Sequence, residues 1–444
     1  ITGLTGVLHW SCAGSGGTSA WRIRPVEGEK DEFTPENERT AAPAEVGGWL
    51  TVAAFNVLNY FNTVDLTSSG SSGPCGPGGD QDCRGADSDA ERIRQLDKIV
   101  AALSVIDADV AGLIELENDG DDQSIDDIVG ALNVIAGAGT YDRIETGFIG
   151  PDVIKVGLIY QPAAVAPVGG FAILDQSVDP AFLDSKNRPV LIQTFEEVAT
   201  GERFTVAVNH LKSKGSPCDD VGDPNLNDGA GNCNATRAAA AQALADYLAT
   251  DPTNSGDPDY LIVGDLNSYA MEDPIVALEA AGYTDLLESF FGTDVYTYVF
   301  DSQLGYLDYA LANHTLLTQV TGATAWNINA DEVNLLDYND EFRTTGEASF
   351  ERESSALDIY DPDPYRASDH DPVIVGLELS SPMSKKHAAV ELLMGIEGET
   401  KTDDRLLARA IRDLNRSLDG KLWTSEATLD PEGGDLVFTL EPVS

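Results

Sequence analysis

The sequence predicts a mixed α+β fold, and three observations carry that expectation. Apolar runs of strand length, such as Tyr260-Leu261-Ile262-Val263, recur along the chain and stop abruptly at polar residues. Segments with helical apolar spacing lie between them. Several runs carry an acid, an amide or a histidine, which a buried strand tolerates only when something pairs with it.

The run Asp259–Asn267 organises the rest. Gly264 frees the backbone at the end of the run, and strand alternation predicts that Asp265 and Asn267 point the same way. An Asx-type turn after a core strand is the plainer reading of the same residues.

Residues 1–30 alternate in short pieces separated by Gly and Ser, the grammar of a hairpin, and are read as a β-barrel fragment of OB type. Residues 31–48 are a polar linker. The main domain is expected over 49–380. Its first strand is Leu50–Leu58, with Asn56 inside it. A long Gly/Ser/Asp loop, 62–87, precedes Ser88-Asp89-Ala90-Glu91, which reads as a capping box for a helix over 89–104. Asp109–Glu117 is a second strand, in which period two puts Glu115 and Glu117 on one face. A helix over 124–136 and a strand over 153–160 containing Lys155 follow. Strands over 188–196 and 204–210 come next, the latter running into Asn209-His210-Leu211-Lys212-Ser213-Lys214. Helices are expected at 235–249 and 273–281, a strand carrying Asp308 at 305–312, a β-ribbon at 318–333, and a last strand at 373–379 after Ser368-Asp369-His370-Asp371-Pro372. Beyond 380 the composition changes, and 381–444 reads as a small module of two helices, 386–396 and 403–418, with a two-strand ending at 421–442.

Composition narrows the function. Of 444 residues, 75 are acidic and 27 basic, a formal net charge of −48. Such a surface suits a salty medium, where screening shortens to roughly 3 Å at 1 M. No run is long and apolar enough for a membrane-spanning helix. Four of the five cysteines bracket loops, Cys75 with Cys83 and Cys218 with Cys233, without zinc spacing. Two local disulfides in an oxidising compartment fit them, the larger loop being worth about 3 kcal/mol in the chain-entropy model. Cys12 is left over. With Ile1 first, the chain reads as a fragment of a longer secreted protein. The Asp223-Asn225-Asn227 spacing lacks the closing Glu of an EF-hand and leaves room for a looser structural Ca2+ site. The sequence offers no basis for inferring a protein partner.

The strand ends supply Asn56, Glu115, His210, Asp265, Asn267, Asp308, Asp369 and His370. Oxygen donors call for a hard cation such as Mg2+, with Mn2+ as its substitute. Two imidazoles among acids serve proton transfer or phosphate orientation. With no P-loop or dinucleotide fingerprint and no serine or cysteine nucleophile in prospect, attack of water on a phosphate ester is the chemistry best served.

The ordered set Phe55-Asn56, Leu113-Ile114-Glu115, Asn209-His210, Gly264-Asp265-Leu266-Asn267, Leu307-Asp308-Tyr309 and Ser368-Asp369-His370-Asp371-Pro372 resembles the endonuclease/exonuclease/phosphatase superfamily, the fold of pancreatic deoxyribonuclease. Cys83-Arg84-Gly85-Ala86-Asp87, Asn209–Gly215, Glu272-Asp273-Pro274 and Asn329-Ala330-Asp331-Glu332 are similar to its secreted microbial nuclease branch. The resemblance implies a four-layer α/β/β/α sandwich, flanked here by the N-terminal β fragment and the C-terminal helical module. It implies Glu115 as principal metal ligand with Asn56 and Asp369 in support. Asp265 would orient or deprotonate water, Asn267 hold the phosphate, and His370 act as acid or base with Asp308 fixing its tautomer. His210 would bond a non-bridging oxygen. Lys155, Lys212 and Lys214 are added as phosphate contacts on their charge. The substrate expected is DNA, with RNA as a second. A lipid phosphodiester or small phosphoester is the alternative within the fold, and a non-catalytic Ca2+-binding matrix protein the alternative outside it.

Overall fold

The structure is a computed structural model; it describes residues 5–12, 19–26, 39–66, 72–340, 359–379, 423–429 and 436–442. The chain divides into two compact units, Ile1–Leu377 and Glu378–Ser444. In the first, a hairpin of β1 (Gly6–Cys12) and β2 (Ser19–Pro25) pairs Trp10 with Trp21 across its strands. Strand β3 (Leu50–Tyr60) leads through α1 (Asp89–Ile106) to β4 (Val110–Glu117). Helix α2 (Gln123–Ala136) precedes β5 (Asp142–Arg143), β6 (Ile154–Tyr160), β7 (Val165–Leu174), β8 (Arg188–Glu197) and β9 (Arg203–His210). Helix α3 (Asn234–Leu248) carries the chain to β10 (Tyr260–Asp265). Next come α4 (Asp273–Ala280), β11 (Tyr283–Asp285), α5 (Leu286–Phe291) and the hairpin β12 (Tyr298–Phe300) with β13 (Gln303–Gly305). The unit closes with β14 (Asp308–Asn313), α6 (His314–Leu317), β15 (Val320–Ala325) and β16 (Val373–Leu377). The described part of the second unit is the antiparallel pair β17 (Trp423–Leu429) and β18 (Leu436–Pro442). The helices expected at 386–396 and 403–418 lie outside the described residues.

Two six-stranded sheets, ordered β15-β16-β3-β4-β6-β5 and β11-β14-β10-β9-β8-β7, pack on one another through β3 and β4 against β9 and β10. Each sheet has a single parallel pair, β3–β4 and β9–β10, and the other pairings are antiparallel. A parallel pair needs a crossover, and α1 and α3 supply one each. The carboxyl ends of all four strands carry the residues singled out from the sequence. Helix α1 starts with half of the expected box: Ser88 Oγ accepts from Glu91 N at 3.2 Å, while Glu91 Oε2 accepts from Asp87 N, one residue before the cap, at 3.2 Å. Ile99 and Leu103 of α1 and Ile128 and Leu132 of α2 bury against Phe55, Val57, Leu113 and Leu116, which builds the core outside the first sheet.

Two expectations change. Residues 318–333 do not form a ribbon; only β15 is a strand, and its partner is β16, because Trp326 N instead donates to Pro372 O and Ile328 N and Asn329 N turn onto Asp371. Strand β4 does not alternate to its end. Its register slips between Ile114 and Leu116, and Glu115 takes a left-handed φ of 69°, a bulge that re-aims its side chain. Glu117 instead accepts from Thr63 N at 2.9 Å and holds the following loop. Both expected disulfides, Cys75–Cys83 and Cys218–Cys233, are formed.

Candidate active site

Register places the catalytic candidates before any side chain is considered. The parallel pairing sets Asp265 opposite His210, and the antiparallel pairing sets Asp265 opposite Asp308. Gly264 has φ +122°, and a Cβ there would run into the Asn209 carbonyl of the neighbouring strand, so β9 and β10 close up only with glycine at this point. Asn267 follows the strand with φ 47°; its N–H donates to Asp265 Oδ1 at 2.8 Å and its amide Nδ2 to Oδ2 at 3.1 Å. Asp265 and Asn267 therefore meet through an Asx turn, not through strand alternation. From the other sheet, Asn56 Nδ2 lies 3.4 Å from Asp265 Oδ2. Glu115 Oε2 accepts from Asn59 N at 3.1 Å, and Oε1 is 3.8 Å from His210 Nε2.

His370 completes the group. Its Nε2 is 3.9 Å from Asp265 Oδ2, and Nδ1 is 2.7 Å from Asp308 Oδ2. Thr297 Oγ1 also donates to that Asp308 oxygen at 2.7 Å. The ring lies against Tyr298, with centroids 4.5 Å apart. The backbone behind His370 is pinned: Asn329 Nδ2 donates to His370 O at 2.7 Å, and Asp371 Oδ1 accepts from the N–H groups of Ile328, Asn329 and Ala330. Seven residues from distant segments thus meet in one cluster, buried but for the half-buried Glu115: Asn56, Glu115, His210, Asp265, Asn267, Asp308 and His370. Asp369 stands just outside, and its charge raises both the Glu115 carboxyl and the His370 imidazole.

The two imidazoles are driven apart. Burial, followed by the positive charges of Arg188 and protonated His370, holds His210 well below the ordinary histidine range. For His370 burial works the same way, but the carboxylates of Asp308, Asp369 and Asp265 outweigh it and keep the ring protonated well above that range. Burial lifts Asp265 to about 7, with Asp308 and Glu115 adding to the rise and protonated His370 opposing it. Opposed environments of this kind suit His370 to give a proton and leave His210 neutral.

Donor chemistry fits a hard divalent cation. Glu115, raised chiefly by burial and then by Asp369, sits with Asp265 and Asp369 in an excess of carboxylate oxygen that His370 and Arg188 offset in part. Asp265, Asp308 and His370 also bring potential ligand atoms within 4.8 Å of one another. Asp308, however, is engaged by His370 Nδ1 and Thr297, and is better described as the imidazole's partner than as a metal ligand. The looser Ca2+ site has less to offer, since Asp223 Oδ2 accepts from Thr236 N and Asn225 Oδ1 from Asn227 N.

The lysines divide. Lys155 is 1 % exposed and gives its ammonium to Asp119 Oδ1, Asp122 Oδ1 and the carbonyls of Asp119 and Gly147. It is a buried structural cation, which corrects its assignment as a phosphate contact. Lys214 is paired with Glu272 and lies 4.2 Å over the Tyr269 ring, so its charge is already met. Lys212 has no carboxylate ion-pair partner among the described residues. Arg188, Thr297 and Tyr298 were not anticipated. Arg188 opens an apolar strand at Asn187-Arg188-Pro189, a usable signal, whereas Thr297 and Tyr298 carry none.

A family model described as Endonuclease/Exonuclease/phosphatase family matches residues 54–370. Among solved structures, the chain is similar to an endonuclease/exonuclease/phosphatase family protein from Bacteroides thetaiotaomicron, at 16% identity over 73% of this chain and 96% of that one, with a TM-score of 0.45. A mannosyl-6-phosphatase from the same organism is 15% identical over 74% of this chain and 100% of that one, TM-score 0.44. An AP endonuclease from Archaeoglobus fulgidus is 12% identical over 74% and 100%, TM-score 0.42. No curated protein matches the chain.

Proposed function

We propose that this chain, which belongs to the endonuclease/exonuclease/phosphatase family, is a secreted, Mg2+-dependent nuclease that hydrolyses phosphodiester bonds of DNA, with RNA as a second substrate. The observation that carries the hydrolase reading is the convergence of Glu115, His210, Asp265 and His370 from two sheets, with His370 held by Asp308 at 2.7 Å. Nucleic acid is favoured because the pieces resembling the nuclease branch surround that cluster: Arg84 beside Asn59, the Asn209-His210 strand end, and Asn329 beneath His370. The disulfides support secretion. The outer helices α1 and α2 on one sheet and α3 with α4 beyond the other fit the four-layer arrangement, with 49–380 as the catalytic domain between an N-terminal β fragment and a C-terminal module.

Glu115, with Asn56 and Asp369, would hold the metal, which when bound would polarise a phosphoryl oxygen and offset its charge. Asp265 orients the attacking water and takes its proton as the oxygen bonds to phosphorus. Asn267 and Asn56 fix that carboxylate; the Asn267 amide, spent on Asp265 Oδ2 and Leu211 O, takes this role in place of the phosphate contact expected of it. Neutral His210 faces a non-bridging oxygen. His370 gives its proton to the leaving alkoxide as the P–O bond breaks, leaving an alcohol and a phosphomonoester. Asp308 accepts from Nδ1–H, so Nε2 is the nitrogen that carries the transferable proton, and the carboxylate balances the charge of the protonated ring.

Supercoiled plasmid is expected to be nicked with Mg2+ and left intact in EDTA. Cleavage that persists in EDTA defeats metal dependence, and turnover of sphingomyelin or a sugar phosphate but not DNA defeats the nuclease reading. A second readout needs no turnover. Glu115→Gln removes one of several crowded carboxylates, so in EDTA at pH 8 its Tm should exceed the parent's, by about 1–2 °C for each kcal/mol gained in a unit of this size. The sign follows from the raised carboxyl: its penalty is full above the folded pKa and disappears as pH falls to the unfolded value. Added Mg2+ should raise the parent Tm and leave the variant's almost unchanged. An equal Mg2+ shift in both proteins removes Glu115 from the metal.

A further inference from the structure

Beside the catalytic cluster lies a knot of positive charge, in a chain whose net charge is −48. Arg188, buried at the start of β8, places Nη1 3.5 Å from His210 Nε2 and Nε 3.1 Å from Asp152 Oδ2. The contact at Nε is not aligned as a hydrogen bond, and that nitrogen has no hydrogen-bond partner among the described residues. Arg84 reaches the same carboxylate, its Nη2 3.9 Å from Asp152 Oδ1, while its side chain is 42% exposed. Its Nη1 is 3.4 Å from Asn59 Oδ1, and the Asn59 N–H is the group that holds Glu115.

The position of Arg84 is built, not incidental. Cys83 before it is closed in the disulfide with Cys75. Gly85 after it has φ +81° and passes so near the Asn59 carbonyl that a Cβ would strike it, so only glycine lets this loop lie against the end of β3. Lys212, two residues past His210, completes the knot. Burial depresses its ammonium pKa, and the charges of Arg188, Lys186 and Arg84 add to that against the pull of Asp152. Lys186 is tied to both oxygens of Asp220. Arg84 and Arg188 therefore share one carboxylate, Asp152, on the His210 side of the cluster, and Lys212, whose backbone N–H donates to Asn187 beside Arg188, lies within the field of that carboxylate without pairing with it. Concentrated cation beside half-buried surface is unfavourable until an anion meets it, and guanidinium pairs match phosphate oxygens.

We propose that Arg84, Arg188 and Lys212 form a subsite for a second phosphate of a nucleic-acid strand, adjacent along the strand to the one cleaved; the proposal rests on the nuclease reading of the site. Arg84 touches Asn59 and Asp152, and no contact joins it to Asp265 or His370. A substrate with a single phosphate at the catalytic cluster leaves it unmet, whereas a polynucleotide carries a phosphate to it.

The test compares the parent, Arg84→Ala and Arg84→Lys on duplex DNA and on bis(p-nitrophenyl) phosphate, a diester with no neighbouring phosphate. For Arg84→Ala the ratio of kcat/KM on DNA to that on the small ester should fall about tenfold, the worth of one charge-assisted contact, and Arg84→Lys should recover part of it. The slope of log KM for DNA against log salt should shrink by about 0.9, one phosphate contact on a duplex. Equal losses on both substrates, or an unchanged ratio and salt slope, overturn the subsite. Binding of a labelled oligonucleotide in EDTA, read by fluorescence anisotropy, separates the two proposals. If the parent hydrolyses neither substrate but Arg84→Ala still weakens binding with the smaller slope, the nuclease reading fails and the subsite stands; unaltered binding sinks the subsite whatever the turnover.

Discussion

Replacing His370 with alanine is expected to lower kcat on DNA about a thousandfold, within the range of 10²–10⁴ usual for a positioned acid or base. KM should move little, because the ring acts on the leaving oxygen and does not carry the strand. The expectation follows from geometry. His370 Nδ1 is committed to Asp308 at 2.7 Å, Thr297 supports that same oxygen, and Asn329 fixes the backbone behind the ring, so Nε2 alone faces the cluster. The carboxylates around it keep that nitrogen protonated. An acid matters in proportion to the basicity of the group it protonates. The loss should therefore be much smaller on bis(p-nitrophenyl) phosphate, whose leaving group departs as a stabilised phenolate, than on DNA, whose leaving group is an alkoxide. Equal losses on the two esters would remove His370 from the role of acid and leave it an orienting group.

Lys155→Ala is expected to destabilise the first unit by about 3–5 kcal/mol, the usual cost of removing one partner from a buried ion pair. For a unit of this size that corresponds to a fall in Tm of about 4–6 °C. The ammonium serves Asp119, Asp122 and the Gly147 carbonyl together, while Asp122 also accepts from Thr146 N and Gly147 N. Burial pushes the Asp122 carboxyl upward, but the Lys155 hydrogen bond and the Gly147 N–H hold it below its ordinary value. A depressed carboxyl contributes stability above its unfolded pKa, about 3.9, and loses it as pH falls through the folded value. The gap between parent and variant should thus be full at pH 7 and narrow below about pH 4. Activity per folded molecule on DNA should be retained at low temperature. A normal Tm together with a raised KM for DNA would restore Lys155 to the phosphate site.

Most of the elements were legible because their signals are local. The capping box at Ser88, the apolar spacing of α1 and the strand-length runs each depend on neighbours within a few residues, and the pairing of Cys218 with Cys233 depends on a short loop. Glu115 shows where such reasoning stops. Period two predicted a shared face with Glu117, but the slip between Ile114 and Leu116 turns Glu115 into the site and leaves Glu117 to hold Thr63. A bulge is imposed by the partner strand β6 and by Asn59, neither of which is near Glu115 in sequence. Lys155 failed for a related reason: its charge was visible, but the carboxylates that neutralise it arrive on a loop 33 and 36 residues away.

Residue type and order by themselves determined the mixed α+β architecture, the acidic balance and the set of acids, amides and imidazoles available for chemistry. That information is intrinsic to each segment. Which members meet was decided only in three dimensions, by two parallel strand pairs whose crossovers bring four strand ends to one edge, and by the antiparallel register that sets Asp308 beside Asp265. Distances of 3–4 Å between side chains separated by scores of residues depend on packing of whole sheets, and so does the opposite protonation of His210 and His370, which identical imidazoles acquire from burial and from the charges that the fold places around them.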